Sequence, residues 1–201
     1  MKKNINLLLK YFTAIRLIPL ILFFYIFAKR KNLYYERDRW YEVIYPNKKK
    51  NFSLFIDILN IPEYRTIIYY RLGGWSKLIK WIVKGQYALF FSQPSNTIKP
   101  GLVIHHGHST RIGAKFIGQN CQIWHNVTIG TNKSHFNNRP IIGDNVKVCT
   151  GAIVMGNITI GNNVLIGAGT ILQKNVPDNC VVVGNPARII KKDGARVDIK
   201  L

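Results

Sequence analysis

A mainly β fold, a parallel β-helix of about four triangular coils preceded by a helical region, is what the sequence predicts, on three observations. A large aliphatic residue recurs at Ile98, Ile104, Ile117, Ile123, Ile129, Ile142, Val148, Val154, Ile160, Ile166 and Leu172, six positions apart except at two breaks. Three positions after each stands Gly101, Gly107, Asn120, Asn126, Asn132, Asn145, Gly151, Asn157, Asn163, Gly169 or Asn175. Gly and Asn are the residues that most readily accept a left-handed backbone turn. The next position is small or apolar (Leu102, Cys121, Val127, Val146, Ala152, Ile158, Val164, Thr170, Val176), with His108 and Lys133 as exceptions. A short strand, a tight turn and an inward aliphatic every six residues describe stacked coils.

The chain of 201 residues is 47% hydrophobic, enough for a packed core, and carries a net charge of +20. Residues 1–91 hold 17 Lys/Arg against 5 Asp/Glu, and residues 92–201 hold 12 against 4. Such a balance points to an anionic partner. The repeats contain no nucleic-acid-binding motif, so nucleic acid is not expected. Cys121, Cys149 and Cys180 lack metal-ligand spacing and read as free thiols of a reducing compartment.

Three segments divide the chain: a helical region over 1–91, the β-helix over 92–192 and a tail over 193–201. Tyr11–Ala28 is apolar apart from Arg16 and has basic flanks. Its charge-free part, Leu17–Ala28, falls short of the roughly 20 residues of a membrane span. The expectation is an in-plane helix on the anionic inner face of the plasma membrane of a cytoplasmic protein, against a helix buried in an oligomer. Helices are expected at Phe52–Leu59, from Pro62 to the Gly73-Gly74 stop, and at Trp75–Val83, where Trp75, Leu78, Ile79 and Ile82 are helically spaced. Pro186 stands where the next turn needs Gly or Asn, which ends the ladder and leaves the chain from Arg188 free to run elsewhere.

The two breaks, Ile104 to Ile117 and Ile129 to Ile142, each span thirteen residues. Labelling Ile117, Ile123 and Ile129 as faces A, B and C and counting by threes puts Ile98 on B and Ile104 on C, so that both insertions follow face C. With coils stacked about 4.8 Å apart, His105-His106-Gly107-His108 would lie beside Gly130–Lys133 at one corner, joined by His135 and Arg139 of the second insertion. His125 falls at a different corner and would approach only across a subunit boundary. An imidazole with a pKa of about 6.5 suits proton abstraction from a hydroxyl. No Cys or carboxylate joins the histidines, so a metal is not expected.

On these motifs the C-terminal half resembles the left-handed β-helix acyltransferases, most of all serine acetyltransferases and their relatives in surface-polysaccharide clusters. The matching stretches are Ile98-Lys-Pro-Gly-Leu-Val-Ile-His-His106, Asn126-Val-Thr-Ile-Gly130, Ile142-Gly-Asp-Asn-Val146, Ile166-Gly-Ala-Gly-Thr170 and Val183-Gly-Asn-Pro-Ala-Arg188, with Pro62–Gly73 similar to a helix preceding the β-helix. The resemblance implies a left-handed β-helix and a homotrimer, with two trimers able to pair through the N-terminal helices. It implies active sites between prisms, acetyl-CoA along the groove, and His106 as the base, with His135 as runner-up. Thr150, Gly167, Ala168, Gln173, Lys174 and Lys191 would contact acetyl-CoA, the lysines meeting its phosphates. His105, His108, His125 and Arg139 would contact the acceptor.

The departures bear on the acceptor. Phe91 stands where serine acetyltransferases carry an Asp that orients the base, His105 where another Asp holds the amino acid, and Arg139 in place of the loop His. A zwitterion wants a carboxylate near its ammonium group. The expectation is therefore a sugar O-acetyltransferase of capsule, exopolysaccharide or O-antigen biosynthesis. Serine O-acetyltransferase of cysteine biosynthesis is the alternative, and a non-catalytic scaffold a second.

Overall fold

The computed structural model describes residues 2–131 and 138–201, with side chains from Phe12 onward apart from Thr13. The expected His135 and Lys133 lie outside the described residues. The chain divides into two units, Met1–Gln86 and Tyr87–Leu201.

The first unit contains α1 (Lys2–Phe27), α2 (Leu33–Ile44), α3 (Phe52–Leu59) and α4 (Pro62–Leu72). Asn51 caps α3 by accepting from the Leu54 N–H at 2.8 Å, the usual remedy for an orphan first-turn donor. Pro62 opens α4, and Gly73, with φ of +60°, closes it. Leu17, Leu20 and Phe24 of α1 are fully buried, and Phe24 meets Phe55 at 4.8 Å between ring centroids. Trp40 packs on Tyr64 at 5.1 Å. Among the described residues no helix is long and apolar enough to cross a membrane.

The helix expected at Trp75–Val83 does not form. Gly73–Leu78 is a 3-10 turn in which the Ser76 hydroxyl donates to the Gly73 carbonyl at 2.7 Å. Ser76, Ile79 and Val83 face inward, while Trp75, Leu78 and Ile82 are exposed. The helical spacing of the apolar residues was real, but the left-handed glycine and the serine hydroxyl tighten the chain and turn that face outward.

Within this unit Arg71 donates to Glu36 Oε1 through Nε at 2.8 Å and Nη2 at 2.6 Å, with side chains 7% and 0% exposed. The pair ties α2 to α4. A desolvated carboxylate stripped of its cation is strongly destabilising, so Arg71→Met is expected to lower stability by about 3–5 kcal/mol, measured by urea unfolding of the full chain.

The second unit is a left-handed parallel β-helix. Face A stacks β4 (Phe116–Ile117), β7 (Ile141–Ile142) and β10 (Thr159–Ile160), extended by bridges at Ile98 and Val176. Face B stacks β2 (Val103–Ile104), β5 (Gln122–Ile123), β8 (Lys147–Val148), β11 (Leu165–Ile166) and β13 (Cys180–Val183). Face C stacks β1 (Leu89–Phe91), β3 (Thr110–Ile112), β6 (Thr128–Gly130), β9 (Ile153–Met155) and β12 (Ile171–Leu172). The inward aliphatics are buried throughout. Asn120, Asn126, Asn145, Asn163, Gly101, Gly151 and Gly169 take positive φ as the sequence pattern requires, whereas Gly107, Asn157 and Asn175 do not, and Gly156 turns the chain beside Asn157.

The face assignment of the first coil is corrected. Ile104 pairs with Ile123 and Ile98 with Ile117, which puts them on faces B and A. The interval from Ile104 to Ile117 is not one insertion but two steps around β3, whose Ile112 pairs with Ile129. The strand escapes a six-residue count because Ile112 lies eight residues after Ile104 and five before Ile117. The left-handed positions of this turn are filled by His106 (φ 51°) and Ser109 (φ 50°) instead of Gly or Asn. Only the insertion between Ile129 and Ile142 follows face C.

The β-helix also begins before residue 92, because β1 pairs with β3 ahead of Pro94. Its end is not a free tail. β14 (Arg188–Lys192) folds back antiparallel on β13, and β15 (Ala195–Lys200) pairs antiparallel with β14, with Arg188 bridging Asp198 at 2.5 Å. Pro186 stops the left-handed coil, and the hairpin then covers the exposed edge of face B.

Candidate active site

Parallel pairing fixes which residues share a corner. Between faces B and C, His105 N donates to Ile123 O at 2.8 Å, Trp124 N to Val148 O at 3.0 Å, Cys149 N to Ile166 O at 2.9 Å and Gly167 N to Val182 O at 2.8 Å. His106, His125, Thr150 and Ala168 therefore form one column, and His105, Trp124, Cys149 and Gly167 the next. His125, expected at a different corner from the cluster, lies directly beside it: the His106 and His125 rings are 6.2 Å apart, edge to face. His106 and His108 are exposed, and His105 and His125 half-buried.

His106 adopts a left-handed backbone, uncommon for a residue with a side chain and better tolerated by His than by most. His108 N returns to His106 O at 2.5 Å, closing the turn that holds the imidazole outward. His125 Nδ1 is buried without a hydrogen-bond partner among the described residues.

Sequence reading missed the two residues that fix His105. Its ring stacks on Trp124 at 4.3 Å with planes 14° apart, and its Nε2 lies 3.0 Å from Gln122 Oε1. The amide oxygen can only accept, so Nε2 carries the proton and Nδ1 keeps its lone pair in the neutral ring. Burial lowers the His105 pKa, opposed by the Gln122 hydrogen bond and assisted by His106 and Lys147. Correct phasing of the first coil would have found both residues, since each stacks one coil along from the histidines.

The inserted loop leaves from the other end of face C. Lys115 N donates to Pro140 O at 2.7 Å, and Arg139 Nη1 to Ser92 O at 2.8 Å. Arg139 is thus not at the His106 corner of its own chain, contrary to the single corner expected. Gln173 and Lys174, which follow β12, share the Arg139 corner, whereas Thr150, Gly167 and Ala168 share that of His106. Lys191 is exposed on β14, opposite Val181 of face B. The His106 corner has low relief: a Cβ added at Gly169 would meet nothing within 4 Å. Gly167 serves packing, since a Cβ there would come within 2.9 Å of Val183 Cγ1. Phe91, on β1, pairs with Ile112. Among the described residues no three His, Cys, Asp or Glu side chains could jointly hold a metal ion.

Residues 139–174 match the family Bacterial transferase hexapeptide (six repeats). A serine acetyltransferase of Synechococcus elongatus is 43% identical over 107 residues, covering 52% of this chain and 44% of that protein. One of Staphylococcus aureus is 39% identical over 137 residues, covering 65% and 64%. The chain thus carries the hexapeptide repeat over residues 139–174 and is similar to serine acetyltransferases over its left-handed β-helix. It spans about half to two thirds of the length of these curated relatives. Among solved structures, the serine acetyltransferase of Brucella abortus strain S19 superposes with a TM-score of 0.64 at 25% identity, covering 85% of this chain and 72% of that one. That of Neisseria gonorrhoeae gives 0.61 at 25%, covering 81% and 66%.

These names overturn the expected sugar acceptor of surface-polysaccharide biosynthesis and favour the serine alternative. The expectation rested on missing carboxylates, but an ammonium group needs hydrogen-bond acceptors rather than acids alone. A neutral His105 with a free Nδ1 lone pair is one such acceptor.

Because burial disfavours the charged ring, His105 is expected to titrate below the ordinary value of about 6.5. Gln122→Leu should lower it further by removing the acceptor that favours the imidazolium. An NMR titration of the ring resonances in both proteins reads the two shifts.

Proposed function

We propose that the protein is an acetyl-CoA-dependent serine O-acetyltransferase. The observation that carries this reading is the column of His106, His125, Thr150 and Ala168, an exposed imidazole above small residues, in a chain similar to proteins named serine acetyltransferases. His106 takes the proton of the serine hydroxyl, and the oxygen attacks the thioester carbonyl of acetyl-CoA. Backbone N–H groups at this corner stabilise the developing oxyanion. The C–S bond breaks as the intermediate collapses, and the thiolate of CoA recovers the proton from the imidazolium, giving O-acetylserine and free CoA.

His105 Nδ1 supplies an acceptor for the ammonium group of serine beside the His125 ring, and Arg139 meets its carboxylate. Thr150, Gly167 and Ala168 lie along the acyl-carrying arm, with Gln173, Lys174 and Lys191 toward the phosphates. His106 and Arg139 stand at different corners of one prism, and a homotrimer unites them: the corner of one copy faces the loop of the next. A heterologous ring of three is the closed arrangement that gives every copy the same composite site.

His106→Ala is expected to cut kcat/KM by about 10²–10⁴-fold, read as thiol release from acetyl-CoA with L-serine. Absence of serine-dependent release in the wild type would sink the reading. Full activity in His106→Ala combined with its loss in His135→Ala would move the base to the loop.

The composite site has its own test. His106→Ala and Arg139→Ala chains, each impaired alone, are expected to regain roughly a quarter of the wild-type sites when unfolded together and refolded as mixed trimers. If both residues served the same copy's site, the mixture would stay as impaired as its parents.

A further inference from the structure

Helix α1 has two apolar faces, and the helical unit covers only one. Leu17, Leu20, Phe24 and Ala28 are buried within that unit, while Phe12, Ile15, Leu22 and Ile26 are 58–71% exposed on the opposite side. A helix that is apolar all round ordinarily has both sides covered. The open face continues onto the following elements of the same unit. Phe27 packs on Trp75 at 5.6 Å, and Trp75, Leu78 and Trp81 are 56, 58 and 75% exposed.

Cations border this surface and interrupt it. Lys29, Arg30, Lys77, Lys80 and Lys84 are exposed, and no Asp or Glu occurs in residues 1–35 or 64–86. Indole rings interleaved with lysines suit the water–lipid boundary, where an apolar body is buried and a polar edge stays wet. The face does not belong to a spanning helix, since none among the described residues is long and apolar enough.

We propose that this face docks the protein peripherally on an anionic lipid bilayer, with α1 lying in the plane of the headgroups. Phe12, Ile15, Leu22, Ile26 and the two tryptophans enter the acyl boundary, and the five cations meet lipid phosphates. A second copy of the chain is the rival occupant. A two-fold contact through this face would set the same lysines and arginine against themselves with no acidic residue to offset them. The proposal stands independently of acetyl transfer.

The test uses the full chain with vesicles of phosphatidylcholine alone or mixed with about one third phosphatidylglycerol, followed by co-sedimentation and tryptophan emission. At low salt, partitioning is expected to be at least about tenfold stronger onto the anionic vesicles, to fall with added salt, and to shift emission to the blue. Ile26→Ser/Trp81→Ser should lose about tenfold or more in partitioning with an unchanged thermal unfolding midpoint, because both side chains are exposed. Lys77→Gln/Lys80→Gln/Lys84→Gln should abolish the preference for anionic lipid. Equal binding to both vesicle types, or no binding, would overturn the proposal. So would an Ile26→Ser/Trp81→Ser protein that kept its vesicle binding but lost mass in light scattering, which would assign the face to a contact between copies.

Discussion

Everything in the C-terminal unit depends on the hydrogen bonds between coils. N–H groups at the strand ends donate to carbonyls one coil along, as His105 does to Ile123 and Trp124 to Val148. A parallel ladder with a left-handed residue at each corner has no slack in register. Chemistry is therefore arranged in columns rather than along the chain. His106, His125, Thr150 and Ala168 are 62 residues apart in sequence from first to last, yet they form one vertical edge. The same ladder explains why Gly167 must be glycine, since its column neighbour Val183 already fills the space.

That register was legible where the hexad was intact. Ile117 through Leu172 can be phased by threes from the sequence, and every one of those positions falls on the face so assigned. The first coil was not legible, and the cause is local. β3 has its inward Ile112 at intervals of eight and five, and the corner before it is turned by His106 and Ser109. A search for Gly or Asn passes over both. The consequence was not confined to one strand, because a wrong phase moved His125 away from its true neighbours and brought the inserted loop to the wrong corner. The acceptor was misread for a related reason. Missing acids at 91 and 105 were visible, whereas the Gln122 and Trp124 contacts that orient the His105 ring required the stacking to be known.

The helical unit shows the same division. The sequence placed α3 at Phe52–Leu59 and α4 between Pro62 and the Gly73-Gly74 stop, as observed, while the Asn51 cap of α3 was found only in the structure. What local signals could not supply was which side of an apolar segment is covered. Trp75, Leu78 and Ile82 are spaced as a core face and end up exposed, because the 3-10 turn rotates Ser76, Ile79 and Val83 inward instead. Periodicity reports that a face exists. Burial depends on the partners available, here Phe55 against Phe24 on one side of α1, while Phe12, Ile15, Leu22 and Ile26 stay exposed on the other among the described residues.

The separation of corners has a consequence for catalysis. A prism of this kind is rigid, and its corners cannot approach each other, because the core aliphatics of three faces stand between them. A base on one corner and a binding loop on another can act on one substrate only if a second prism brings its loop alongside. On the proposed reading, oligomerisation is part of the site's construction rather than an addition to its stability. The left-handed conformation of His106 is itself held by this rigid coil, through the ladder bonds on either side of it.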